Sequence, residues 1–261
     1  MSGTSNNTHI YGIYYEAGGA ITNCVNGEKG STTKGVLTCS GQVNGTLNIC
    51  GIGNKNSNKG MTSAVNYGPI NMTNTCSTKG SMYIGGITKA FPVGATLTEC
   101  VNYGNITLAG IVGDEAIGGA SGSGTFVGGF CDVTSESETA GTLVRCQNHG
   151  DVIYTETYKG ANAVRTGGMI ARFDNTQPTV IEDCWNSGDV IFNGKAGYRS
   201  AGTLKVGGFT GTSAACPHAV KGYIINSGNV SISGEQDGGS TVYVAGVSGE
   251  FGKNLTLVER K

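Results

Sequence analysis

Charge is scarce in this sequence. Charged residues make up 13% of its 261 positions, and 17 basic side chains nearly cancel 18 acidic ones. That balance leaves no electrostatic footprint of the kind that nucleic acid or an anionic membrane surface selects. Long apolar runs are missing too: no stretch of 18 apolar residues occurs, so no membrane insertion is expected. The start, Met1-Ser2-Gly3-Thr4-Ser5-Asn6-Asn7, is polar from its first residue and carries nothing like a secretory leader. Amphipathic periodicity near 3.6 residues is absent throughout. Histidine occurs three times and tryptophan once, which leaves few candidate bases for acid–base catalysis.

Glycine is in excess, at 46 residues, but without a Gly-X-Y period, so a collagen-like chain is excluded. What organises the chain is a repeat of about forty residues. Its cores are Cys24-Val25-Asn26, Val65-Asn66-Tyr67-Gly68, Cys100-Val101-Asn102-Tyr103-Gly104-Asn105-Ile106, Cys146-Gln147-Asn148-His149-Gly150-Asp151-Val152, Cys184-Trp185-Asn186-Ser187-Gly188-Asp189-Val190 and Ile225-Asn226-Ser227-Gly228-Asn229-Val230. Steps of 40, 36, 46, 38 and 40 residues separate the six asparagines. A second word, an apolar residue, two glycines and another apolar residue, alternates with the first. It reads Ile84-Gly85-Gly86-Ile87, Val127-Gly128-Gly129-Phe130 and Val206-Gly207-Gly208-Phe209, with looser copies elsewhere. A fixed period of this size means stacked supersecondary units, each burying its apolar face against its neighbours, so residues 1–261 read as one repeat domain.

Between these marks the apolar pattern has period two. Val152-Ile153-Tyr154, Val190-Ile191-Phe192, Val230-Ser231-Ile232 and Ile106-Thr107-Leu108 alternate as half-buried strands do. Each unit therefore supplies about three short strands: one before the Asn, one after the Asn-x-Gly turn and one around the Gly pair. Three strands per unit, stacked in parallel, give an all-β fold, a right-handed parallel β-helix of about six to seven coils. The repeated asparagines, Asn26, Asn66, Asn102, Asn148, Asn186 and Asn226, are then expected to form a structural ladder. Stacked about 4.8 Å apart, each amide donates to and accepts from its neighbours. The alternative is a β-propeller, whose blades also run near forty residues. Propellers need four strands and usually an aromatic signature per blade, and Trp185 is the single tryptophan.

The nine cysteines are odd in number and include no Cys-x-x-Cys. Cys24, Cys100, Cys146 and Cys184 share a repeat position with Ala64 and Ile224, so they read as compact core residues. Cys216-Pro217-His218 is one conceivable metal pair without an evident second half, and no cofactor or metal is expected. Segments such as Gly110–Thr125 and Thr155–Arg165 vary in length and composition and are where a solenoid places binding. Gly110–Gly124 reads as a mobile loop, and Ser135-Glu136-Ser137-Glu138 as a solvated acidic one. Thr256-Leu257-Val258-Glu259-Arg260 reads as the opening of a further repeat, like Thr142-Leu143-Val144-Arg145, so a piece of a longer array or end-to-end self-association is expected.

The alternation of apolar-Gly-Gly-apolar-x-Gly with Asn-x-Gly-Asp/Asn-Val resembles the GLUG-type repeats of bacterial surface and secreted proteins. Gly208-Phe209-Thr210-Gly211 and Gly246-Val247-Ser248-Gly249 match the Gly-apolar-x-Gly core; the copies at Gly86, Gly129 and Gly168 end instead on Lys89, Asp132 and Ala171. The resemblance implies an extracellular or cell-surface stalk or adhesin-like segment, and it carries no catalytic residues to transfer. A second word, Gly211-Thr212-Ser213-Ala214-Ala215-Cys216-Pro217-His218, is similar to the nucleophile word of the subtilisin family, in which Ser213 would attack a carbonyl. That chemistry needs a base and an orienting carboxylate. The family's upstream Asp and His words are absent, and the other histidines are His9 and His149. The likeness at Ser213 is read as coincidence.

The resulting expectation is a non-catalytic structural or adhesive segment, binding host or surface glycans or proteins through variable loops. The alternative is a carbohydrate-active β-helix enzyme, a polysaccharide lyase or hydrolase. Its best candidates are Asp151 and Asp189, which share a repeat position with Asn105, Asn229 and Pro69 and so read first as turn caps.

Overall fold

The structure, a computed structural model, describes residues 7–56, 59–90, 94–119, 122–133, 141–160, 163–173, 179–193, 197–198, 203–213, 218–233, 241–249 and 255–258. Short strands wind into a stack of coils whose neighbours pair in parallel, a β-solenoid. Strands one repeat apart lie side by side: Ile70 pairs with Leu37 below and Ile106 above, and Ile106 pairs with Val152. A propeller is thereby overturned, because its blades pair strands adjacent in sequence in antiparallel fashion.

Five walls enclose the stack. The first has seven strands, from Thr8–Tyr11 through Leu47–Cys50, Met82–Gly85, Gly124–Gly128, Ala163–Gly167 and Thr203–Gly207 to Thr241–Ala245. The second follows each Gly pair, as in Thr88–Ala90 and Ile170–Phe173. The third carries the strand before the repeated Asn and the Asn itself, such as Thr96–Thr98 and Val101–Asn102. The fourth holds the alternating runs, such as Ile106–Leu108 and Val152–Tyr154, and the fifth a two-residue strand such as Ser77–Thr78 or Ile111–Val112. Sequence periodicity supplied three of the five. Strands of two to four residues in the second and fifth walls are too short to show alternation.

The third wall bends at one residue per coil. Asn23, Ser63, Glu99, Arg145 and Asp183 all have φ between 50° and 54°, the left-handed region, and Gly222 holds the next copy at 73°. Five non-glycine residues at equivalent positions in that region place the constraint in the coil's geometry, since L side chains pay about 1–2 kcal/mol there.

The extra length of the Asn102-to-Asn148 step is partly taken up between the fifth and first walls. There Gly110–Gly124, expected as a loop, contains the strand Ile111–Val112 and a single 3-10 turn, Glu115–Ile117. Asp114 caps that turn by accepting from the Ala116 amide at 3.0 Å, and Gly118 closes it in the left-handed region. The acidic stretch Ser135–Glu138 lies outside the described residues.

The interior is divided in two. One apolar cluster fills the space between the first, fourth and fifth walls, with Leu47, Ile84, Ile106, Val127, Tyr154, Phe192 and Leu204 among its members. The other lies between the second and third walls, around Ile87, Leu97, Cys100, Phe130, Cys146, Met169 and Ile181. Each such side chain contributes about 1.5–3 kcal/mol by leaving water. The two tyrosines of the first core have satisfied hydroxyls: Tyr154 stacks on Phe192 at 3.8 Å and bonds the Thr166 hydroxyl, and Tyr158 donates to Thr125 Oγ1 at 2.6 Å. Burial pushes both phenols well above their usual range.

Candidate functional site

The asparagine ladder occupies the waist between the two cores. Nδ2 of Asn26 donates to Oδ1 of Asn66 at 2.8 Å, and the same bond continues from Asn66 to Asn102, Asn102 to Asn148, Asn148 to Asn186 and Asn186 to Asn226, at 2.7–2.8 Å. The second N–H of each amide turns back to its own coil: Asn102 donates to Gly104 O at 2.9 Å while its Oδ1 accepts from Gly104 N at 3.2 Å. At Asn66 and Asn102 both amide hydrogens and both lone pairs of Oδ1 are thus engaged, and these two are fully buried with Asn148 and Asn186. The second residue of the Gly pair closes the other side. A methyl group on Gly86 would stand 2.4 Å from Asn102 Cγ and 1.9 Å from Gly129 O. Only glycine lets the two backbones and the amide meet, which explains why the two repeated words travel together.

A second ladder runs outside the first. Asn105 Oδ1 accepts from the Asp151 amide at 3.0 Å, Asp151 Oδ1 from the Asp189 amide at 2.9 Å, and Asp189 Oδ1 from the Asn229 amide at 2.7 Å. Asp151 and Asp189 therefore cap the next coil's backbone. This is the duty that Asn performs equally well, and it accounts for the exchange of Asn and Asp at this position.

Next to the ladder, on the outer surface, aromatic rings stack up the axis. Tyr67 and Tyr103 lie 5.1 Å apart, Tyr103 and His149 4.9 Å, and Trp185 meets His149 edge-on at 5.4 Å. His149 Nδ1 is 2.6 Å from Ser187 Oγ and its Nε2 2.9 Å from Gln147 Oε1. Both ring nitrogens are therefore engaged away from Ser213, and burial holds the imidazole below its usual value. His9 Nδ1 bonds Tyr11 OH at 2.9 Å. Ser213 ends a second-wall strand, Thr210–Ser213, in register with Phe173, and His218 opens the strand His218–Asn226. Ala214–Pro217, with Cys216, lie outside the described residues.

The third-wall cysteines take the places their repeat position implies. Cys100, Cys146 and Cys184 are buried in the second core and Cys24 packs against it. Cys146 Sγ donates to Leu97 O at 3.3 Å and Cys184 Sγ to Glu182 O at 3.4 Å.

The surface richest in binding chemistry is one that sequence reasoning missed. Facing outward from the first wall, Asn48 and Phe126 (3% and 8% exposed, covered by their neighbours), Tyr83, Arg165, Lys205 and Tyr243 (42% exposed) occupy consecutive registered positions. Tyr83 and Phe126 stack at 5.2 Å. Arg172, from the second wall, lies over Phe126 at 4.1 Å and Tyr83 at 5.5 Å; Lys89 lies over Tyr83 at 4.9 Å, Arg165 over Phe126 at 5.7 Å and Lys205 over Tyr243 at 5.8 Å. Asp132, fully buried, pairs with Arg172 Nε at 3.6 Å. Four cations and one carboxylate meet on one face of a nearly neutral chain. The signal was present in the sequence: aligned on the Gly pair, these residues all stand two positions before its first member. Compared with family models, curated proteins and solved structures, the chain matches none of them.

Proposed function

We propose that this chain is a non-catalytic, adhesive segment of a bacterial surface or secreted protein, a rigid body that holds glycans bearing acid groups along the outside of its first wall. The observation that carries this reading is the column of Tyr83, Phe126, Arg165, Lys205 and Tyr243, with Lys89 and Arg172 beside it. Cations fixed against the Tyr83 and Phe126 rings supply the counter-charge to carboxylates or sulfates, and Tyr243, 42% exposed, offers ring surface to a sugar. Strand spacing fixes the column's pitch at about 4.8 Å, so an extended polymer meets either a ring or a cation at each coil from Tyr83 to Tyr243. The ladders support the reading by holding that pitch without help from loops. Variable segments such as Asp114–Gly119 add contacts at the neighbouring edge.

The test is binding to immobilised acidic and neutral polysaccharides at two salt concentrations, using the protein and its Arg165→Glu/Lys205→Glu variant. The proposal expects salt-sensitive retention on acidic polymers, lost in the variant while circular dichroism is unchanged. Equal retention on neutral and acidic polymers, or binding indifferent to the double substitution, overturns it.

A further inference from the structure

Two cysteines outside the third-wall column face one another. Cys39 ends a fourth-wall strand, Leu37–Cys39, and Cys76, 37 residues further on, precedes the fifth-wall strand Ser77–Thr78 of the next coil. The Cys76 sulfur points at the Cys39 sulfur from 3.0 Å, about 1 Å longer than the ~2.05 Å of a formed S–S bond. Both lie inside the first core, Cys39 at 4% exposure and Cys76 at 0%. Their backbones are braced by one residue: Thr73 donates from N and Oγ1 to Cys39 O, at 3.0 and 3.3 Å, and Thr73 O accepts from the Cys76 amide at 2.9 Å. Cys76 O also accepts from the Ile111 amide of the following coil at 3.0 Å. The fold therefore holds the two side chains together with no rearrangement of the ladder.

We propose that Cys39 and Cys76 are a redox modification site, closing a disulfide between successive coils when the folding chain meets a small-molecule disulfide such as oxidised glutathione. The Cys39 thiolate attacks one sulfur of the oxidant, forming a mixed disulfide and expelling one thiolate. The Cys76 thiolate then attacks the Cys39 sulfur and expels the second. Two protein thiols are oxidised, one external disulfide is reduced to two thiols, and the two protons of the protein thiols end on the two expelled thiolates. The S–H of Cys76 directed at Cys39 holds the Cys39 thiol below its usual range, and the same contact, together with burial, pushes Cys76 up. Because both sulfurs are buried in the folded chain, the exchange belongs to folding or to local opening. In the third-wall column Cys146 and Cys184 donate to backbone carbonyls, and burial together with the neighbouring thiols of Cys100 and Cys184 pushes Cys146 well above its usual range.

The inference is independent of any glycan binding. Its test is refolding of the intact protein in a glutathione redox buffer, alkylation of remaining thiols, and peptide mapping without reduction. Trypsin leaves Cys39 in Gly35–Lys55 and Cys76 in Gly60–Lys79, and a second cleavage after Leu47 separates Cys39 from Cys50. The expected product joins the Cys39 and Cys76 peptides, and reduction releases them. Oxidised protein should also resist denaturant more than reduced protein, by roughly 10²–10³-fold in the unfolding equilibrium for a loop of this length. In the Cys39→Ala/Cys76→Ala variant that difference should vanish. Recovery of both residues as alkylated thiols, or a cross-link confined to Cys100, Cys146 and Cys184, overturns the proposal whether or not the variants fold.

Discussion

Replacing Asn102 by Ala would strand three partners and weaken the bonding of a fourth, Gly104 N, which keeps a 3.2 Å bond to Asn66 O. The Asn66 Nδ2 donor, the Asn148 Oδ1 acceptor and both main-chain groups of Gly104 are bonded to that one amide, at 2.8–3.2 Å, in a site without solvent exposure. A buried polar group left unmade costs about 1–3 kcal/mol. The small void admits at most a water that recovers part of this, so Asn102→Ala should cost about 3–6 kcal/mol, a large share of the ~5–15 kcal/mol that holds a domain together. Asn226→Ala should cost less, about 1–2 kcal/mol, because that amide is half-buried and water can enter its place to meet Asn186 Nδ2 and Gly228 O. The assay is urea unfolding followed by circular dichroism and by Trp185 fluorescence, whose agreement also tests two-state behaviour. Asn102→Asp gives an independent signature. With no N–H to offer, its carboxylate confronts Gly104 O and Asn148 Oδ1, so its folded pKa must rise above the unfolded ~3.9. A raised pKa makes the protonated form the stable one. Relative to wild type, Asn102→Asp is therefore least impaired in acid and loses stability as pH rises through its folded pKa. A central Asn102→Ala variant within 1 kcal/mol of wild type, or no pH contrast in Asn102→Asp, would refute the reasoning.

Three other outcomes follow from the same geometry. Ser63 holds φ 53° without a side-chain role, so Ser63→Gly should raise stability by up to about 1 kcal/mol in the same titration. Burial depresses the His149 pKa, so its contribution is whole above the unfolded value near 6.5 and falls as pH drops through the folded value. His149→Phe keeps the ring stack and should flatten that acid limb, leaving the part due to His9, whose pKa burial and Lys89 also lower. Gly86→Ala places a methyl 1.9 Å from Gly129 O and 2.4 Å from Asn102 Cγ. It should unfold the central coils, read as loss of amide protection around Asn102.

The ladder was legible because one chemical requirement recurs at one phase of the repeat. Each amide must find partners of its own kind, so the same residue returns as Asn26 through Asn226. The fourth wall was legible because Ile106-Thr107-Leu108 and its copies have one side in the core and one in water. The left-handed corner of the third wall left no such trace: Asn23, Ser63, Glu99, Arg145 and Asp183 share a backbone conformation but no chemistry. The division of the core was hidden as well, since it depends on Gly86 meeting Asn102 from across the coil. The Cys39–Cys76 pair escaped because the two residues occupy different phases of the repeat and meet on a diagonal between coils. The cation–aromatic column varies in residue type, and it becomes visible only when the copies are aligned on the Gly pair.

Side-chain amide hydrogen exchange, resolved asparagine by asparagine by NMR, bears most directly on the stacked-coil account. Bonded on both sides and sealed from water, the amides of Asn66, Asn102, Asn148 and Asn186 should exchange through cooperative opening alone, orders of magnitude more slowly than those of exposed Asn74 or Asn193. Exchange of the four at the rate of the exposed amides would contradict the ladder, and with it the reason given for the forty-residue repeat.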